Sequence, residues 1–302
     1  MKHLLKQLWI WYVTVSSRNS RWVNFNLACL RMLYKLPRMH AYIDRLVYHF
    51  QKIYKSIHAD PLLKEVRLKN GLYMCVDTMD RLGGLLYFYR NYSERITQEF
   101  LQQHLQAGDI FVDVGANCGF YSLLAAQHVK PNGKVYAFEA NPSVCKVFSQ
   151  SIGLNRFEHI VTLENYAVAN VSGKTLEFYL PSDKVNSAIG TLISNGQMAS
   201  SGNIDTTQSI NVLTVTLDEY LKNKQIDGRL FIKIDAEGAE EWVLQGMHNL
   251  LLQRIPYCII LESDSPDSVS CKQIEAYGYQ LQLADIFTSY SRFGNYIFVN
   301  NA

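Results

Sequence analysis

The stretch DVGANCGFYS, residues 113–122, follows the apolar run Ile110-Phe111-Val112 and opens into Tyr121-Ser122-Leu123-Leu124-Ala125-Ala126. A short apolar run, two glycines and a longer apolar run predict a strand, a tight turn and the start of a helix. In an open α/β sheet such a turn offers backbone to a ligand. The spacing narrows which ligand. A phosphate loop needs GxxxxGK followed by Ser or Thr, and nothing after Gly119 supplies it. The dinucleotide fingerprint GxGxxG fails at Asn117, which stands where a glycine would admit a pyrophosphate. Glu139 closes the next apolar run, KVYAFEA (134–140), twenty residues beyond Gly119. A carboxylate there suits a ribose diol and repels phosphate. An adenosine-bearing ligand without phosphate, such as S-adenosylmethionine, meets that description.

Outward from this turn, strands alternate with helices. EVRLKNGLYMCVD (65–77) reads as a hairpin turning at Asn70-Gly71. Ile96, Phe100, Leu101 and Leu105 predict a helix over 93–106, stopped by Gly108. Asn141-Pro142 opens the helix after KVYAFEA as cap and first-turn residue. HIVTLENYAV (159–168), LFIKID (230–235) and YCIILES (257–263) read as further strands, and GYQLQLAD with NYIFVNN as a closing antiparallel pair. The pattern predicts a doubly wound, mostly parallel sheet covered on both faces. Residues 181–209, rich in Ser, Asn, Gly and Thr, carry no sustained period and read as a long loop, a candidate lid over an acceptor through Asn186, Ser187 and Gly190.

The net charge of +2 hides an asymmetry. Residues 1–60 hold ten Lys/Arg against Asp44 and Asp60, a balance of +8, which leaves −6 for the rest. Residues 1–61 are therefore read as a basic helical extension and 62–302 as the main domain. LWIWYVTV (8–15) is like the apolar part of a signal peptide, but Arg18 and Arg21 follow at once, so it is read as retained. It is also far too short to span a bilayer. Met39, Ile43, Leu46, Val47, Phe50, Ile53, Tyr54 and Ile57 recur at helical spacing, predicting an amphipathic helix over 38–57 with Arg38, Arg45, Lys52 and Lys55 on its other face. The favoured reading is a packed cap with a solvated basic face; the sharper one is peripheral contact of residues 1–57 with an anionic membrane. No recognition module accompanies the charge, which argues against nucleic acid. The six cysteines form no CxxC pair and no Cys/His metal spacing is present, so a cytoplasmic chain with free thiols and no structural metal is expected.

Five segments together resemble the FkbM family of S-adenosylmethionine-dependent methyltransferases. They are DVGANCGFYS (113–122), VYAFEANPSV (135–144), NYAV (165–168), VTLDEYL (215–221) and IKIDAEGAEEWVLQG (232–246), in the family's order. The resemblance covers roughly 70 to 300 and stops short of the basic extension. Ala140 replaces the family's usual Pro, Cys118 a common aliphatic residue and Ala236 a frequent Val; none removes a polar group.

The resemblance implies a Rossmann-like class I methyltransferase fold with a closing antiparallel strand, and S-adenosyl-L-methionine as cofactor. Gly115 and Gly119 would admit its methionine part, with Asp113 and Asn117 near the amino group; Glu139 would hold the ribose, and Asn165 and Tyr166 would flank the adenine. With strand order 3-2-1-4-5, Asp235 lines the same crevice. Methyl transfer to a hydroxyl needs a base, and no histidine lies in these motifs, which leaves Asp235, with Glu237 and Glu262 in reserve. An oxygen-ligand cation held by Asp235, Glu237, Glu262 and Asp264 is the lesser alternative. The function implied is O-methylation of a sugar, glycolipid or secondary metabolite, so the partner is a small-molecule or glycan acceptor. Two other readings stay open: an NAD-type dehydrogenase, and a non-catalytic module tethered through its basic start. Lys233, mid-strand in LFIKID, needs a partner, and Asp113 or Glu262 is expected within ion-pair reach.

Overall fold

The computed structural model describes residues 12–33, 40–58, 60–181, 185, 190–192, 204–287 and 292–300. Among them the chain forms two compact units, one from the residues up to Tyr92 together with Val185, the other from Ser93 onward.

The first unit opens with helices α1 (Ser20–Leu33) and α2 (His40–Ile57). The predicted 38–57 helix is present as α2 over 40–57; Arg38 and Met39 lie outside the described residues. Its apolar stripe buries Ile43, Val47, Phe50 and Tyr54 against Val23, Leu27 and Leu30 of α1 and against Met79 and Phe88. The basic face is not wholly solvated: Lys55 pairs with Asp77 at 2.6 Å. The hairpin is present as β1 (Leu63–Arg67) and β2 (Tyr73–Asp77), paired antiparallel from Leu63↔Asp77 to Arg67↔Tyr73. Gly71 turns it at φ 90°, a conformation that suits glycine. Helix α3 (Arg81–Tyr89) starts at Asp80, whose side chain accepts from the Leu82 and Gly83 amides. This unit therefore runs on past residue 61 to Tyr92.

The second unit runs α4 (Arg95–His104), β3 (Ile110–Val114), α5 (Phe120–Val129), β4 (Lys134–Phe138), α6 (Pro142–Asn155) and β5 (Val161–Glu164). It continues with β6 (Ala167–Val168), β7 (Thr175–Pro181), β8 (Ile204–Val215), α7 (Leu217–Leu221), β9 (Leu230–Ile234), α8 (Glu240–Gln245) and α9 (His248–Leu252). Strand β10 (Pro256–Ser263), α10 (Val269–Ala276), β11 (Gln280–Ile286) and β12 (Gly294–Val299) close it. The main sheet has seven strands in the order β11-β12-β10-β9-β3-β4-β5. Strands β5, β4, β3, β9 and β10 are parallel, and β12 enters antiparallel between β10 and β11. The Rossmann-like expectation and its 3-2-1-4-5 order hold.

The two faces of this sheet differ. Ile110, Val112, Val114, Ile232, Ile234, Ile259, Leu261, Tyr296 and Phe298 share one apolar core with Val243, Leu244, Leu251 and Ile274 of the covering helices. Side chains alternate along a strand, so the residues between them face the other way. Those are Asp113, Lys233, Glu262 and Asn295, with Phe111, Phe231 and Ile297. The charged groups gather near the carboxyl ends of the strands, where β3 separates the β4 and β9 branches and ligands bind in such sheets.

Two expectations change. HIVTLENYAV is not one strand: it breaks at Asn165-Tyr166, and β6 leaves for a second sheet, β6-β8-β7. The 181–209 loop is shorter than expected, because 204–209 belong to β8, paired antiparallel with β7. Leu176, Phe178 and Leu180 alternate on β7 and join Ile210 and Val212 of β8 in one cluster. The polar residues of β8 hid this pairing. Asn186 and Ser187 lie outside the described residues, and Gly190 packs so closely on the Phe178 ring that a Cβ would meet it at 2.2 Å.

Candidate active site

The turn 113–122 has the predicted geometry, and its glycines are required by packing. Gly115, at φ 75°, lies so near the Asp235 carbonyl that a Cβ would meet its oxygen at 1.8 Å. Gly119, at φ 84°, lies under the Phe148 ring, which a Cβ would meet at 1.9 Å. Asn117, at φ 50°, is also left-handed, a conformation asparagine tolerates better than most residues. The amides of Gly115 and Ala116 donate to the Phe138 carbonyl, folding the turn across the end of β4.

Glu139 is bound into that turn. Its two oxygens accept the Asn117 and Asn141 amides, both at 2.8 Å. Burial lifts its pKa to about 7, against the pull of these two donors. Each oxygen keeps a further acceptor position, so the group retains room for a diol. Asn165 braces the turn, its side-chain amide donating to the Glu139 and Ala140 carbonyls at 2.8 and 2.9 Å. Tyr166 packs against the main core. The small sheet reaches the same strand ends, since its cluster takes in Ala140, Ala236 and Ala239 from the turns after β4 and β9 and Trp242 of α8.

Asp235 leaves β9 beside the turn, its amide donating to the Val114 carbonyl. Its side chain corrects the expectation for Lys233. The ammonium, on a side chain only 3% exposed, binds Asp235 itself at 2.7 Å. Residues two apart share a face of a strand, so the partner came from the same strand. Asp113 lies directly opposite Lys233 in register but takes the Ser122 hydroxyl at 2.6 Å. Burial works to strip the Lys233 proton, yet Asp235, Glu94, Asp113 and Glu262 outweigh it and keep the ammonium charged.

The three candidate bases are thereby distinguished. Burial alone would raise Asp235, but Lys233 and a hydrogen bond from Glu262 hold it below the usual carboxylate range. Burial and the Asp235 charge push Glu262 well above that range, so it carries the shared proton. Glu237 rises to about 8, from burial and then from Asp235 and Glu240, and sits at φ 47°. Asp235 is the member that stays ionised. Among the described residues no group of three or more His, Cys, Asp or Glu is arranged to hold a metal ion; Asp235, one of the four cation ligands considered above, is occupied by Lys233.

Glu94 escaped the sequence reading. It is half-buried under the same sheet face, where it accepts the Tyr121 hydroxyl at 2.6 Å and the Asn295 amide at 2.7 Å. The Tyr121 ring in turn lies 5.0 Å from the Lys233 nitrogen. The one sequence signal was Asn295, a polar residue directly before the apolar run YIFV (296–299). Ser122 and Tyr121, in the motif and at the start of α5, also serve the site, donating to Asp113 and Glu94.

Residues 113–281, more than half the chain, match the Methyltransferase FkbM domain. Hexuronic acid methyltransferase AglP of Haloferax volcanii is 25% identical over 160 residues, 53% of this chain and 58% of that protein. The chain thus matches under two-thirds of that relative's length. Among solved structures, Methyltransferase FkbM from Methylobacillus flagellatus aligns with a TM-score of 0.42 at 14% identity, covering 74% of this chain and 54% of that one. Precorrin-6y C5,15-methyltransferase from Geobacter metallireducens aligns at 0.38 and 18% identity, over 68% and 86%. The turn, Glu139 and Asp235 all lie within the matched span, and the chain belongs to the FkbM methyltransferase domain family.

Proposed function

We propose that the protein transfers a methyl group from S-adenosylmethionine to a hydroxyl of a sugar, glycolipid or secondary metabolite. The observation that carries this reading is Asp235, an ionised carboxylate at the strand ends beside the glycine turn, with the protonated Glu262 and Lys233 holding its charge. Glu139 fits the cofactor, since a buried carboxylate with an acceptor position spare on each oxygen matches two ribose hydroxyls. When bound, the cofactor supplies the methyl group and its own leaving group.

The chain's part is alignment and proton removal. The acceptor hydroxyl loses its proton to Asp235 as the new bond to carbon forms. Lys233 keeps Asp235 ionised before the event, and the already protonated Glu262 holds it by a hydrogen bond. Glu237 remains largely protonated at neutral pH and serves as a hydrogen-bond donor to the acceptor. The hexuronic acid methyltransferase relative supports a sugar acceptor. A dehydrogenase reading loses its ground with the family membership.

The test has two arms. Calorimetry with S-adenosylmethionine and with NAD asks which cofactor binds; binding of NAD alone overturns the reading. Mass spectrometry of glycans and lipids from cells with and without the protein then seeks the loss of a single methyl. The Asp235→Asn variant should abolish that methyl, with turnover reduced roughly 10²–10⁴-fold and cofactor affinity retained.

A further inference from the structure

Helix α1 carries two apolar faces. Val23, Leu27 and Leu30 point into the core of the first unit. On the opposite side Trp22, Phe25, Cys29, Met32 and Leu33 follow at steps of three, four, three and one, which places them along one stripe. Trp22 is 51% exposed, Phe25 55% and Met32 70%. The Trp22 and Phe25 rings pack edge to face at 5.8 Å, so the patch is continuous there. Exposed aromatics gathered on one helix face mark a contact surface.

The charge around the patch identifies its occupant. Arg18 and Arg21 flank it, both exposed, and the chain has no acidic residue before Asp44 against seven Lys/Arg. A second copy of the chain would bring this positive field against itself. An apolar stripe with Trp and Phe, bordered by arginines, fits the boundary between anionic headgroups and acyl chains. Among the described residues no helix is long and apolar enough to cross a membrane. We propose that α1 lies on an anionic lipid surface, seated by Trp22, Phe25 and Met32 and drawn there by Arg18 and Arg21. The element differs from the one expected to make such contact: the stripe of α2 is taken up by the core, and α1 offers the free face. The proposal stands independently of methyl transfer.

The experiment is co-sedimentation of the full chain with vesicles of phosphatidylcholine alone and of phosphatidylcholine with phosphatidylglycerol. Binding should require phosphatidylglycerol and weaken with salt, since screening acts on such attraction. The triple variant Trp22→Ser, Phe25→Ser, Met32→Ser should bind at least about tenfold more weakly. Arg18→Gln with Arg21→Gln should cost roughly fivefold per arginine at low salt. Should the triple variant lose its fold, Met32→Ser alone, at the most exposed position, carries the same test. Binding that ignores lipid charge, or variants that bind as well as the native chain, overturns the proposal. So does a chain that ignores vesicles and dimerises through this face, with the triple variant monomeric in light scattering.

Discussion

Glu139 and Lys233 are both ionisable groups taken out of water, with opposite outcomes. Lys233 meets an acid at 2.7 Å and stays charged, whereas Glu139 meets only backbone amides and rises to about 7. Ribose hydroxyls would donate to the Glu139 carboxylate, lowering its pKa on binding. Cofactor affinity should therefore be full above pH 7 and weaken as pH falls below it, by at most about tenfold per unit. Calorimetry across that range checks this, and Glu139→Gln should remove the dependence along with much of the affinity. Replacing Lys233 with Met leaves Asp235 without its cation inside the fold. That should cost roughly 3–5 kcal/mol in a urea titration and raise the Asp235 pKa. Gly115→Ala adds a left-handed alanine and a clash with the Asp235 carbonyl, so stability should fall by at least about 2 kcal/mol.

Helix α4 shows how one element is held by others. Glu94 occupies its cap position but makes no cap bond, because its carboxylate is turned to Tyr121 and Asn295. The free amide of Thr97 is met instead by Asp285 of β11 at 2.8 Å, so the cap comes from 188 residues downstream. Asp285→Ala should leave that buried amide without its acceptor and cost about 1–2 kcal/mol, the usual loss for a missing cap. Faster hydrogen exchange confined to the amides of 95–98 is the expected signature. Exchange unchanged there would mean that α4 is held by its apolar face alone.

The first unit has a core of its own, in which Met79 and Phe88 pack with Ile43, Phe50 and Tyr54. A chain beginning at residue 61 keeps the first two and loses the rest, so it should aggregate or melt far below the native chain. One beginning at Ser93 discards the unit whole and retains the seven-stranded sheet with its core. It should stay folded and bind S-adenosylmethionine by calorimetry. Loss of binding in both would show that the second unit depends on the first.

The glycine turn, the five parallel strands and the placing of Glu139 and Asp235 at strand ends were legible in the sequence, because each rests on local pattern. Short continuous apolar runs bounded by turn residues specify strands buried on both faces, and only glycine or asparagine readily holds the left-handed turn positions 115, 117 and 119. Pairing across the fold was not legible. That Lys233 takes Asp235, that Glu94 enters beside Asn295, that Asp285 caps α4 and that Asn165 braces a turn all depend on which side chains the sheet brings within 3 Å. Strand β8 was hidden for the same reason, since its polar residues become a strand only when β7 lies beside them. Sequence alone determined where along the strands Glu139 and Asp235 fall. Tertiary structure decided which carboxylate in it is ionised, because burial and neighbouring charge are properties of the folded chain.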